Sequence, residues 1–241
     1  MLACLGILLT GASAAQDDVA EPIDEIVVTS LRMTSSLQDA ARSISVVEKS
    51  QIQDARQKLS LDESLAGVAG LYLQSAQNFS QDLRVSIRGF GARSSFGVRG
   101  VRIIVDGVSE SLPDGQSQVD GIDLGTAQQI EVLRGPSSTL YGNAAGGVIS
   151  VTSELGSTEP FVEGSIAGGS YGYQLLQAKA ADSGETIDYL LNVSRTTVDG
   201  YRDHSEFEST ALTAHLGGRD RFHAALGRPT NLGVSSVRRR P

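Results

Sequence analysis

The sequence predicts an α/β domain, a mixed sheet with short helices, followed by an antiparallel β-meander. Three observations carry this. Residues 130–152 read as strand, corner, short helical turn, glycine pair and second strand. Leu61, Leu65 and Val68 recur at helical spacing between short apolar runs. From Phe161 onward, segments of about ten residues alternate apolar and polar side chains, with turn signals between them. Such alternation suits strands of a transmembrane barrel and a soluble meander equally well.

The N-terminus comes first. Residues 2–9 are apolar, and Gly11-Ala12-Ser13-Ala14-Ala15 supplies small residues before an acidic stretch. This reads as a secretory signal over residues 1–15, with Ala12-Ser13-Ala14 as the cleavage site. One feature departs: no Lys or Arg follows Met1, so the true start lies upstream or the signal is weak. A membrane-spanning helix needs ~20 apolar residues, and this run is too short. Cys4 is the single cysteine, which excludes an intrachain disulfide and any multi-cysteine zinc cluster. A net charge of −8, with no basic face before the last residues, argues against nucleic-acid binding.

Residues 16–39 read as a flexible segment. Within it, Ile23, Asp24, Glu25, Ile26, Val27, Val28 and Thr29 place isolated apolar residues in a polar tail. Such residues cannot bury themselves, yet they suit a strand added to another protein's sheet edge. The plainer reading is an edge strand of the domain that follows.

Residues 40–153 are expected to form the α/β domain. Ile44, Val46 and Val47 make a short strand, and residues 49–58 are polar enough for an exposed helix. Ser60-Leu61-Asp62-Glu63 reads as a capping box, with Glu63 reaching back to the serine. Gly70 ends that helix, and residues 71–73 form a strand. Residues 83–88 alternate as a half-buried strand should, and residues 89–97 form a loop. Residues 101–105 are a strand turning at Asp106-Gly107 into a hairpin. Residues 109–118 are a polar loop, and a short helix over 123–129 leads to Ile130. There Gly135-Pro136 stops the strand, proline suits the first helical turn, and Gly142 offers a left-handed end.

In the meander, Val162, Gly164 and Ile166 share one face. Ile187, Tyr189, Leu191 and Val193 do the same against Asp188, Asn192 and Ser194, as Leu212 and Leu216 do against Thr213 and His215. Strands are assigned over 154–222. From Phe222 no acidic residue follows, and Arg238-Arg239-Arg240-Pro241 closes the chain. Residues 223–241 therefore read as an atypical basic tail, or as the product of a truncation or frameshift near residues 223–229. No Walker loop, dinucleotide fingerprint, metalloprotease helix or nucleophile elbow occurs, so an enzyme is not expected. His204, His215 and His223 share no metal-ligand spacing, and no metal site is assigned.

The words are more specific than the pattern. Glu131-Val132-Leu133-Arg134-Gly135-Pro136, then Leu140-Tyr141-Gly142-Asn143, then Gly146-Gly147-Val148-Ile149 closely resemble the end of the plug domain of TonB-dependent outer-membrane receptors. Ile87-Arg88-Gly89 and Val105-Asp106-Gly107 match further plug words, so the resemblance runs from about Asp24 to Thr152. It implies an N-terminal plug inside a β-barrel of a Gram-negative outer membrane, with the plug on the periplasmic side of the lumen. It implies energised uptake of a scarce ligand, a ferric siderophore or ferric citrate-like chelate, with no covalently bound cofactor. The partners it implies are TonB with its inner-membrane energising complex, outer-membrane lipid and the metal chelate. Ile23 to Thr29 would be the TonB box, the strand that TonB captures.

By the same resemblance, Arg88 and Arg134 would anchor the plug to acidic residues of the barrel wall. The stretches 89–97 and 112–116 look most like the ferric dicitrate branch. They mark Arg93, Ser94, Ser95, Phe96, Arg99, Asp114 and Gln116 as ligand-binding candidates, with plug–barrel contact as the plainer role. An anionic ligand would suit Arg93 and Arg99. A plugged barrel has about 22 strands of roughly 10 residues each. After Ser153 only 88 residues follow (241 − 153), room for four or five strands. The alternative function is therefore a plug-only binding or signalling module without transport.

Overall fold

Alternating branched residues set the strands of the first sheet, and glycines set its corners. The protein is described by a computed structural model over residues 27–28, 35–36, 42–75, 83–94, 97–112, 114–155, 159–184, 187–201, 205–218 and 230–240. A short pair, β1 (Val27–Val28) and β2 (Ser35–Ser36), precedes the domain. Then come β3 (Ser43–Glu48), α1 (Lys49–Gln53), α2 (Leu61–Leu65), β4 (Leu71–Gln74) and β5 (Arg84–Ile87). β6 (Val98–Arg99), β7 (Val101–Val105), β8 (Val108–Ser109) and β9 (Gln116–Ser117) follow. A single 3-10 turn, Leu124–Thr126, leads into β10 (Ala127–Arg134), α3 (Ser138–Tyr141) and β11 (Gly147–Ser153).

The main sheet runs β3-β10-β11-β7-β8, and only the β11–β7 pairing is parallel. One face buries Ile130, Val132, Ile103 and Ile149 with Ile52, Leu61 and Leu65 from the two short helices. The other buries Leu133, Val148, Ile104 and Ala144. All these residues lie between Val47 and Val151, so the domain completes its apolar core by itself. The Asp106-Gly107 hairpin forms as its sequence predicts. Both residues are left-handed, at φ 47° and 81°, the geometry a two-residue hairpin turn requires.

Several local expectations are corrected. α1 stops at Gln53 instead of running to residue 58, and its Ile52 is fully buried. Ala55 and Lys58 take positive φ, which no continuing helix of L-residues allows. Glu63 does not reach back to Ser60. Its carboxylate accepts from the backbone amides of Gln57, Lys58 and Leu59 at 3.0, 3.2 and 3.1 Å. Burial raises the Glu63 pKa, with those three amides pulling the other way. β5 does not alternate, because Val85, Ser86 and Ile87 are all covered. The polar loop after residue 109 contains β9, which pairs with β6. Residues 123–129 are helical only over the 3-10 turn, capped by the Asp123 carboxylate, and the strand starts at Ala127.

Gly147 is a tight corner of the main sheet. Its φ is 148°, and a Cβ there would lie 2.2 Å from the backbone oxygen of Leu133. Gly147→Ala is therefore expected to destabilise the domain by about 2 kcal/mol or more, because backbone must move. Chemical denaturation checks this; an unchanged midpoint would show the corner to be compliant.

β12 (Phe161–Gly168), β13 (Gln174–Ser183), β14 (Ile187–Val198), β15 (Phe207–Gly218) and β16 (Thr230–Arg240) pair consecutively and antiparallel. Among the described residues this sheet has five strands and does not close. β16 corrects the expectation of a basic tail. Residues 230–240 form a strand whose backbone pairs along the whole of β15, Glu208 opposite Arg240.

Candidate functional site

Alternation decides which residues of the meander face the first domain. In β13, Leu175, Gln177, Lys179 and Ala181 turn inward, and Leu176 turns out. In β14 and β15, Leu190, Asn192, Ala211 and Thr213 turn inward. Half of these inward residues are polar, and their polar groups end on the first domain.

Lys179 is the centre of this seam. Its side chain is fully covered, and Nζ donates to Glu154 Oε2 at 2.8 Å and Gln53 Oε1 at 2.7 Å. It also donates to the Gly125 carbonyl at 3.3 Å and stands 3.3 Å from Glu163. Lys49 pairs with the other oxygen of Glu154 at 2.5 Å. Both ammonium groups lie over the Phe161 ring, 5.5 and 5.7 Å from its centre. Burial works against the charge on Lys49, but hydrogen bonding and charge from Glu154, with Glu163 and Asp54 behind, hold its pKa above the ordinary value. Lys179 and Glu154 are the buried pair of this group, and the half-exposed Lys49 and Glu163 complete its charge balance from the solvent side, the condition under which a buried charge is tolerated.

A second set of bonds extends the seam. Asp123 Oδ2 accepts from Asn192 Nδ2 at 2.6 Å and Thr213 Oγ1 at 2.7 Å. Gln177 Nε2 donates to the Gly125 carbonyl and to Asn192 Oδ1, and Lys58 Nζ donates to Gln177 Oε1 at 3.1 Å. Burial, with the charge of Lys179 behind it, lowers the Lys58 pKa. Tyr173 OH donates to the Gln57 carbonyl at 2.8 Å; burial, then the charge of Glu63, pushes its pKa up to about 12. A cavity of about 210 Å³ lies in the seam, lined by Asp106, Glu110, Gln118, Asp123, Thr213 and His215 among others. His215 Nδ1 stands 3.7 Å from Asp106 Oδ2 across it.

The sequence-marked residues fall elsewhere. Arg88 and Arg134 are brought together beside Gly70: a Cβ there would lie 3.7 Å from Arg88 Cγ and 3.9 Å from Arg134 Cδ. Arg134 donates to the Ala69 carbonyl at 2.7 Å and to Ser45 Oγ at 2.9 Å. Among the described residues neither guanidinium is within ion-pair distance of a carboxylate. Arg99, Asp114 and Gln116 do meet. Arg99 Nη2 lies 3.3 Å from both Asp114 Oδ2 and Gln116 Oε1, and Gln116 N donates to Asp114 Oδ1 at 3.0 Å. Arg93 is exposed, whereas Ser94 is buried, its carbonyl accepting from Arg84 at 2.6 Å. Ser95 and Phe96 lie outside the described residues. Of the segment 23–29, Val27 and Val28 are described; Ile23, Asp24, Glu25, Ile26 and Thr29 lie outside. Val28 is fully buried and paired with Ser35, so for this one residue the expectation of no local cover is corrected.

Lys179, Glu154, Gln53 and Asp123 were missed by sequence reasoning. The signal for Lys179 was present, since Gln177 and Lys179 alternate with Leu176, Ala178 and Ala180. Nothing local marks Gln53 or Glu154.

Known proteins match this arrangement. A family model for the TonB-dependent receptor plug domain matches residues 36–148. The rhizobactin receptor of Rhizobium meliloti is 35% identical over 163 residues, covering 65% of this chain and 20% of that protein. The vitamin B12 transporter BtuB of Vibrio vulnificus is 31% identical over 145 residues, 60% of this chain and 23% of that protein. This chain thus spans about a fifth of the length of these curated relatives. Among solved structures, the pyoverdine outer membrane receptor FpvA of Pseudomonas aeruginosa superposes with a TM-score of 0.67 at 15% identity, over 88% of this chain and 30% of that one. The ferric yersiniabactin uptake receptor FyuA of Yersinia pestis gives 0.60 at 19% identity, over 82% and 31%. The mixed sheet and the meander behind it have the fold of these structures, and residues 36–148 are a TonB-dependent receptor plug domain.

Proposed function

We propose that this chain supplies the plug and five wall strands of a TonB-dependent receptor in a Gram-negative outer membrane. There it serves energised uptake of a scarce ligand, a ferric siderophore or ferric citrate-like chelate, with the plug on the periplasmic side of the lumen. One observation carries the reading: the meander is inside out for a soluble protein. Val162 and Ile166 are 88% and 86% exposed, while Gln177, Lys179, Asn192 and Thr213 are buried against the plug. In water the apolar face would turn to the core; in lipid it turns out, as in a barrel wall.

Residues Ile23 to Thr29 act as the box that TonB captures as an added strand. Because Val27 and Val28 already pair with Ser36 and Ser35, capture exchanges one strand partner for another. Arg88 and Arg134 act as plug anchors. Arg93, Ser94, Ser95, Phe96, Arg99, Asp114 and Gln116 stand as ligand-side candidates. An anionic chelate would compete with Asp114 for Arg99, which favours exposed Arg93 as the first cation it meets. The self-contained plug core favours a second reading, a plug that binds ligand or TonB without transport.

Binding of TonB tests the first reading. Ile26→Pro is expected to abolish binding of the soluble TonB periplasmic domain, because proline removes a strand donor. Calorimetry giving the proline variant unaltered affinity would sink it. Titration with ferric citrate and with a ferric hydroxamate then separates the ligand classes.

A further inference from the structure

We propose that Lys179 is the positioning residue that seats the plug against the wall, and that it fastens the plug at its junction with the wall. The proposal rests on the reading of this chain as plug and wall. Lys179 gathers partners from four separate places: Gln53 on α1, the Gly125 carbonyl on the 3-10 turn, Glu154 just past β11, and Glu163 on β12. Its side chain is 0% exposed and that of Glu154 is 4% exposed. The far end of the plug sheet, where Arg88 and Arg134 meet, has no such tie among the described residues.

Removing Lys179 would leave Glu154 buried with Lys49 alone, which is half in solvent. An unpaired buried carboxylate is relieved most simply by letting water into the seam. The plug core contains no meander residue, so the seam can open while the plug stays folded. The joint then behaves as a hinge whose pin is an ion pair.

The test uses the full chain refolded in detergent micelles, with Cys4→Ser as background and one thiol reporter at a time. Ala127→Cys reports the seam, since Ala127 lines its cavity and is 1% exposed. Ala144→Cys reports the plug interior on the opposite face of the sheet. Lys179→Met is expected to speed maleimide labelling of the seam thiol by about tenfold or more, and to leave the interior thiol within about twofold. Glu154→Gln, which keeps the shape and removes one charge, is expected to act in the same direction. Unchanged seam labelling in Lys179→Met overturns the proposal. So does equal acceleration of both thiols, which would make Lys179 a general stabiliser, and so does a parent chain whose seam thiol labels freely. No readout involves TonB or ligand, so the uptake reading stands or falls separately.

Discussion

Separated from each other, residues 40–153 are expected to be a soluble monomer and residues 154–241 to aggregate in water. The plug carries its own apolar core on both faces of the main sheet, with Leu65, Ile130, Leu133 and Ile149 fully covered. Cutting at residue 153 removes Glu154 and leaves Lys49 without that partner, a small loss for a half-exposed cation. The meander is in the opposite position. Leu176, Leu191, Val193, Leu212 and Leu216 stand exposed along its outer face. Without lipid they form a contiguous apolar surface of the kind that drives association. Circular dichroism, sedimentation and limited proteolysis of the two halves check this. A protease-resistant, monomeric 154–241 would contradict it and restore the soluble-meander reading.

The second large effect is a null one. The 241-residue polypeptide, expressed in cells lacking a full-length receptor, is expected not to restore TonB-dependent uptake of a ferric chelate. A barrel removes its sheet edges only by closing, and plugged transporters do so with about 22 strands. Among the described residues β12 is paired only to β13 and β16 only to β15. In hydrocarbon, each unpaired N–H or C=O along those two edges costs several kcal/mol. Growth on iron-limited medium and radiolabelled iron uptake measure the outcome. Restored uptake would show that five strands suffice or that the role is different.

Much of this was legible in the chain because the decisive signals were local. The corner at Gly135-Pro136, the Asp106-Gly107 hairpin and the dyad alternation of β14 and β15 each depend on residues a few positions apart. What failed depended on distant partners. Residues 49–58 looked like an exposed helix until Ile52 met the sheet and Ala55 turned left-handed. Glu63 had the spacing of a capping box, but three loop amides reached its carboxylate first. The seam was the least legible part. A lysine on a strand is ordinarily a solvated residue, and only the arrival of Gln53 and Glu154 from 126 and 25 positions away makes it a buried one.

The order of strands in the main sheet bears on the history of the chain before it is folded. β3 is the first strand of that sheet to be made, yet its partner is β10, with Ser43 opposite Arg134, 91 residues later (134 − 43). β7 likewise waits for β11, with Val101 opposite Gly147. β8, next to β7 in sequence, is only two residues long; among the strands of five residues or more, only β10 and β11 are close neighbours, so their hairpin is the natural nucleus, and it is the last piece of the sheet to be synthesised. An emerging chain therefore carries Ile44, Val46 and Val47 without their sheet partner until β10 has been made. Under the proposed outer-membrane reading, in which the chain crosses a membrane before it folds, that delay is useful: the main sheet cannot close until Ser153 has followed Ser43 across.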